Sequence, residues 1–160
     1  MRRDLRFVLV MILPSLFGTS LPRAANRPLA LSISAPEQVV QIGSELKIRT
    51  ILTNVTSHVI TLHDRIPACD YRVQVLDDKG NLAPETDYQR QLKCNARFTE
   101  SRNVLVTLKP QESRQEEILI TRLFELNSPG KYSVQVSRGI PTELGGGSIK
   151  SNEIAVTVTP

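Results

Sequence analysis

From residue 29 onward the chain alternates apolar and polar side chains with a period of two, as strands do when they bury one face. Leu29, Leu31 and Ile33 oppose Ala30, Ser32 and Ser34, and Leu46, Ile48 and Leu52 oppose Lys47 and Arg49. Tyr71, Val73 and Val75 fall together in YRVQVL (71–76), as do Val104, Val106 and Leu108 in NVLVTL (103–108). HVITLH (58–63) and RQEEILI (114–120) add shorter stretches. The period is clearest in KYSVQVS (131–137) and NEIAVTVT (152–159), which point Tyr132, Val134, Val136, Ile154, Val156 and Val158 inward. QVVQI (38–42), after Pro36, reads as the continuation of a first strand that breaks and changes sheets. These strands, broken by Pro, Gly and Asx turns, predict an all-β antiparallel two-sheet sandwich of about eight strands. A closed barrel is the alternative. The one helix-like piece is TRLFEL (121–126), a single turn between two strands.

Two stretches interrupt the alternation. Residues 77–101 form a long polar connection, and a loop of that length needs a function or a tether. Residues 139–150, GIPTELGGGSIK, form a Gly-rich loop between the last two strands, placed for contact at one end of a sandwich.

The N-terminus follows another pattern. Arg2, Arg3 and Arg6 precede the apolar run Phe7–Phe17, and small residues Gly18, Thr19 and Ser20 follow. Residues 1–25 therefore read as a secretory signal peptide, cleaved after Ser20 or after Ala25, with 26–160 as a single domain. The apolar run is broken by Pro14 and is shorter than the ~20 residues a membrane span requires. No membrane insertion is expected once the leader is removed.

Charge changes meaning with that assignment. The whole chain carries 20 Lys and Arg, 16 Asp and Glu, and a net charge of +4. Without residues 1–25, 16 basic residues face 15 acids. With no aromatic-interleaved basic stripe either, nucleic acid is not an expected partner. Both methionines leave with the leader, and there is no tryptophan.

Two cysteines, Cys69 and Cys94, make an even number in a chain addressed to an oxidising compartment, which predicts a disulfide. No CxxC supports a redox or metal pair. The bond would tether the 77–101 connection to the start of the Tyr71 strand, and closing such a loop is worth roughly 3 kcal/mol in the chain-entropy account.

The segment SPGKYSVQV places Tyr132 just inside the penultimate strand after a Pro129-Gly130 turn. It resembles the tyrosine corner of immunoglobulin-like sandwiches, whose hydroxyl ties that strand to the preceding corner. IGSELKIRTILTNVTSHVITL, YRVQVLDDKGNLAPET, LKPQESRQEEILI and SNEIAVTV resemble small exported bacterial modules of this fold. Phrases of the kind Gly-x-x-Leu, Thr-Asn-Val-Thr and Pro-Gly-Lys-Tyr are similar to the domain family of bacterial intracellular proteinase inhibitors. The resemblance spans nearly all of 29–159 and implies an immunoglobulin-like fold. Its phrases encode strands and turns and not a site. An export signal and a cysteine pair depart from the inhibitor family.

Catalytic templates fail one by one. Ser44-Glu45-Leu46-Lys47 has the S-x-x-K spelling, but it opens a strand that sends Ser44 and Lys47 to opposite faces. His58 and His63, an odd spacing on one strand, diverge. His63, Asp64 and Asp70 flank one loop, but no specific metal site is predicted. Gly145-Gly146-Gly147 precedes a strand and so cradles no phosphate. Glu116 and Glu117 are neighbours and diverge, Asp77-Asp78 is a turn, and no nucleophile elbow is present. Asn54-Val55-Thr56 spells a glycosylation acceptor and sits at a strand end.

No catalytic residue, metal or cofactor is therefore expected. The reading is an exported module, periplasmic or extracellular, that binds a protein or a cell-surface polymer. Its candidate contact residues are Tyr88 and Phe98 in the 77–101 connection and Gly145, Gly146 and Gly147 in the 139–150 loop. A proteinase inhibitor presenting one of these loops is one alternative. A carbohydrate-binding module using the exposed aromatics Tyr88 and Phe98 is another.

Overall fold

The alternation resolves into nine strands in a computed structural model, which describes residues 27–92, 94 and 104–160. The leader expected over 1–25, with both cleavage points, and Phe98 lie outside the described residues. The strands are β1 (Leu29–Ser34), β2 (Val39–Gln41), β3 (Lys47–Asn54), β4 (Ile60–Asp64), β5 (Tyr71–Leu76), β6 (Val104–Leu108), β7 (Ser113–Leu119), β8 (Gly130–Gly139) and β9 (Ser148–Thr159). Short helical turns among the described residues join them: α1 (Pro67–Asp70), α2 (Asp87–Gln91), α3 (Ile120–Leu123) and a 3-10 turn over Thr142–Leu144.

One sheet has the order β1-β3-β7, the other β2-β9-β8-β5, and β4 pairs with β6 in a two-stranded ribbon. All pairings are antiparallel except that of β2 with β9. The chain does change sheets after β1: β1 lies beside β3, and β2 beside β9. The fold is an antiparallel two-sheet sandwich of the immunoglobulin-like type.

Its core is built from inward positions of the two sheets, among them Leu31, Ile48, Leu52 and Ile118 on one side and Val75, Val134, Val136 and Val156 on the other. Each such side chain contributes about 1.5–3 kcal/mol when buried. Asn152 joins the layers at the β1 edge, accepting from the Ile33 N–H (2.9 Å) and donating to the Ile33 carbonyl (3.0 Å). Tyr132 is in the core and its hydroxyl donates to the Ser128 carbonyl at 2.9 Å, the geometry of a tyrosine corner.

Several expectations shift. The helical turn anticipated at 121–126 occupies Ile120–Leu123, because Phe124 and Glu125 are drawn into extended pairing with Pro84 and Glu85. The 77–101 connection is not uniformly irregular: Thr86 caps α2 by accepting from the Gln89 N–H at 3.2 Å. The Gly-rich loop is shorter than expected, since β9 begins at Ser148 with Ile149 in the core. Val104, anticipated inward, is 57% exposed, although Asp64, opposite it in the β4–β6 ribbon, is buried. Asn54 is fully buried, donating to the carbonyls of His58 (2.8 Å) and Leu108 (3.0 Å), so it is a structural anchor rather than an accessible acceptor.

Candidate functional site

The stretch Asp64-Arg65-Ile66-Pro67-Ala68-Cys69-Asp70-Tyr71 joins the β4–β6 ribbon to the β5 sheet, and its local chemistry dictates its shape. Pro67 opens α1, where its missing N–H costs nothing. Asp70 closes it, accepting from the Arg65 backbone N–H (2.7 Å) and from Arg65 Nε (2.9 Å). The remaining nitrogens of Arg65 donate to the carbonyls of Cys69 (2.8 Å) and Cys94 (2.9 Å). One guanidinium thus holds both halves of the Cys69–Cys94 disulfide, whose Cα atoms are 5.3 Å apart.

Behind this clamp lies a buried charge cluster. Arg138 of β8 is only 6% exposed; it donates to the Tyr71 hydroxyl (3.2 Å) and to the His63 carbonyl (3.1 Å). It also lies 3.6 Å from Asp70 and 3.9 Å from Asp64. Arg114 of β7 donates to Asp64 and sits 3.4 Å from Glu116. Three carboxylates thus face three guanidinium groups, and the cluster is formally neutral.

Burial dominates its titration. It pushes Asp64 above the ordinary carboxylate range, with nearby Asp70 adding to the rise and Arg114 and Arg138 opposing it. Glu116 is raised for the same reason, with Asp64 contributing. The Tyr71 phenol is raised by burial too. Among the described residues Asp64 Oδ1, Glu116 Oε2 and Arg114 Nε have no hydrogen-bond partner, a desolvation cost met only by the charges around them. The cluster orients strand ends; no nucleophile in it is paired with a base.

The cluster forms one end of an open cleft of about 1070 Å³. β5 is the last strand of the β2-β9-β8-β5 sheet, and its residues Tyr71 to Gln74 line the cleft together with Gln135 to Gly139 of the neighbouring β8. The opposite wall is Leu82, Ala83, Glu85, Gln89, Leu123 and Phe124. The cleft exists because of how the chain leaves β5. Ala83 donates to the Val75 carbonyl at 2.9 Å, as an added strand would. The chain then turns to the 123–125 segment, where Glu125 N donates to the Pro84 carbonyl (2.8 Å) and Thr86 N to the Leu123 carbonyl (3.0 Å).

The sequence-predicted candidates are scattered around this cleft. Cys69 and Cys94 line it. Tyr88, in α2, is half-buried with the Arg122 guanidinium 4.1 Å from its ring centroid, which covers one aromatic face. Gly145, Gly146 and Gly147 make three successive positive-φ residues (101°, 69° and 82°) that close the β8–β9 connection, where Ile140 N donates to the Gly147 carbonyl. That loop folds on itself and presents no extended segment. His63 lies on the outward face of β4, opposite Asp64. Among the described residues no group of three His, Cys, Asp or Glu side chains converges to hold a metal ion.

Arg65, Arg114 and Arg138 were not anticipated. A signal was present: Asp64 continues the inward row Ile60-Leu62, Arg138 continues Tyr132-Val134-Val136, and Arg114 and Glu116 precede Ile118. A charge that keeps step with an apolar face points into the protein, and here four do so from three strands.

No family model matches the chain, and no curated protein matches it. Solved structures do. The crystal structure of a CARDB domain from Pyrococcus furiosus, in complex with di-metal ions, is 15% identical with a TM-score of 0.42, covering 81% of this chain and 91% of that one. A solution NMR structure of that CARDB domain is 14% identical with a TM-score of 0.39, covering 82% and 94%.

Proposed function

We propose that this chain is an exported, non-catalytic interaction module whose working surface is the cleft at its Cys69–Cys94 end. The observation that carries the reading is that β5, the edge strand of its sheet, borders a cleft also lined by the Cys69–Cys94 disulfide and by Arg65, which ties its two halves together. A surface fixed in this way binds at a lower ordering cost than a loose loop. Export rests on the leader pattern of residues 1–25 and fits the disulfide. The partner is a protein or a surface polymer of the cell envelope.

The two alternatives draw less support. Inhibition of a proteinase needs an extended, rigid segment, and the β8–β9 loop is closed by its own hydrogen bonds. Sugar binding through Tyr88 has one ring face occupied by Arg122.

The test is site-specific photo-crosslinking in the native envelope fraction. A benzoylphenylalanine in place of Gln74, in the cleft, should capture a defined component, and the same group in place of Gln115, on the far sheet, should not. Equal capture from both positions, or none from either, would sink the proposal.

A further inference from the structure

Resting on that reading, we propose that the open edge of β5 binds an extended peptide by antiparallel strand addition, and that this peptide alternates acidic with apolar side chains.

The hydrogen-bonding direction of β5 follows from two contacts. Ala83 N–H reaches the Val75 carbonyl from outside the sheet, so Val75 turns its backbone groups away from β8. Because a strand alternates, Val73 and Tyr71 do likewise. The β8 side agrees: Val136, opposite Val73, sends its N–H toward β9, to Ser151 Oγ at 3.0 Å. The Tyr71 N–H is used by Pro67. That leaves the Val73 N–H and carbonyl and the Tyr71 carbonyl on the edge, and among the described residues none of them has a hydrogen-bond partner. Unpaired edges of this kind are templates for strand addition.

The walls specify the side chains. On the outer face, register puts Arg72, Ser137 and Lys150 in one row across β5, β8 and β9. Arg72 and Lys150 are exposed, both line the cleft, and neither has an acidic partner among the described residues. On the inner side the cleft is apolar at Ala83, Leu123 and Phe124, whereas Leu82, bridged to Leu76, stands on the outer face beyond Gln74. Glu85, the one lining carboxylate outside the Arg65–Arg138 cluster, stands on the far wall and disfavours acids there. A strand added to β5 therefore meets cations on one face and hydrocarbon on the other, with period two. In the antiparallel register, partner residues that bond to Val73 share its face, so they are the apolar ones.

The probe is a ten-residue peptide alternating glutamate and valine, titrated against the mature domain by fluorescence anisotropy. Methylating the valine amides removes the donors that face β5 and should weaken binding at least about tenfold; methylating the glutamate amides should leave it nearly unchanged. Arg72→Glu with Lys150→Glu, both exposed, should also weaken it about tenfold without altering thermal unfolding. Val73→Pro, which removes the outward N–H of an edge strand together with some packing of the half-buried side chain, should abolish it while the domain still unfolds cooperatively. Equal affinity of the three peptides, a larger loss on the glutamate-methylated one, or no binding of the parent overturns strand addition. A hyaluronate oligosaccharide run in parallel separates the two readings. If it binds with the Arg72 and Lys150 dependence while the parent peptide does not, strand addition fails and the cleft remains the working surface. If neither binds and the Gln74 crosslinker captures nothing, both readings fail.

Discussion

Ala83 donates its backbone N–H to the Val75 carbonyl at 2.9 Å, and one residue later the chain abandons β5 for the 123–125 segment. That single hydrogen bond marks where the sheet stops and the cleft begins. A strand edge that the described residues cover at Val75 and leave open at Val73 has a direct consequence for amide exchange. The Ala83 amide should be protected and the Val73 amide should exchange rapidly, while Arg72 and Gln74, bonded to β8, stay slow. Hydrogen-exchange NMR checks this; a Val73 amide as slow as that of Gln74 means the edge is covered.

Arg138 is the hub of the buried cluster, and its removal leaves Asp64 and Asp70 without their shared cation. Arg138→Met, which keeps most of the apolar stem, should lower stability by roughly 3–5 kcal/mol, the usual cost of stranding a buried charge. Urea unfolding measures it, and a loss below about 1 kcal/mol would show that the carboxylates take up protons or water without strain.

Glu116 carries a pH signature of definite sign. Its folded value lies above its unfolded one, so the folded state binds the extra proton, and the stability contribution is full below the unfolded value and fades as pH rises through the folded one. Glu116→Gln removes that loss. Between about pH 4 and pH 7, where an ordinary glutamate ionises, the variant should gain stability relative to the parent. Paired denaturation curves at the two ends decide it; a variant that loses ground instead would mean Arg114 outweighs burial.

Tyr132→Phe deletes the hydroxyl that reaches Ser128 and leaves the ring in the core. The expected cost is about 1 kcal/mol, read as a lower melting temperature with an unchanged far-UV spectrum.

Replacing both Cys69 and Cys94 with alanine should cost roughly 3 kcal/mol. Because neither residue is in the main core, the variant should still fold at moderate temperature, and the effect should concentrate on the cleft. A loss of photo-crosslinking from position 74 larger than the loss of global stability would show the disulfide acting as a clamp.

How much of this was readable in advance varies from residue to residue. The period-two rows placed Val134, Val136, Val156 and Val158 in the core, because side-chain alternation is a local property of extended backbone. Tyr132 was found through its Pro-Gly turn, also a local signal. Val104 obeyed the same alternation yet ended exposed, since alternation sets which way a side chain points and not what packs over it. Tyr88 looked free in an irregular stretch, and only folding brought Arg122 over its ring.

What the sequence by itself determined was the class of structure, all-β and two-layered, together with the corner at Tyr132 and the pairing of Cys69 with Cys94. These depend on neighbours along the chain, or on there being only one combination to make. The tertiary structure alone decided that Asp64, Asp70, Arg114, Glu116 and Arg138 share one buried cluster, and that no described residue covers the edge of β5 at Val73. Both depend on residues far apart in sequence, Arg138 against Asp70 and Pro84 against Glu125, whose meeting is set by sheet order and register and not by any local preference.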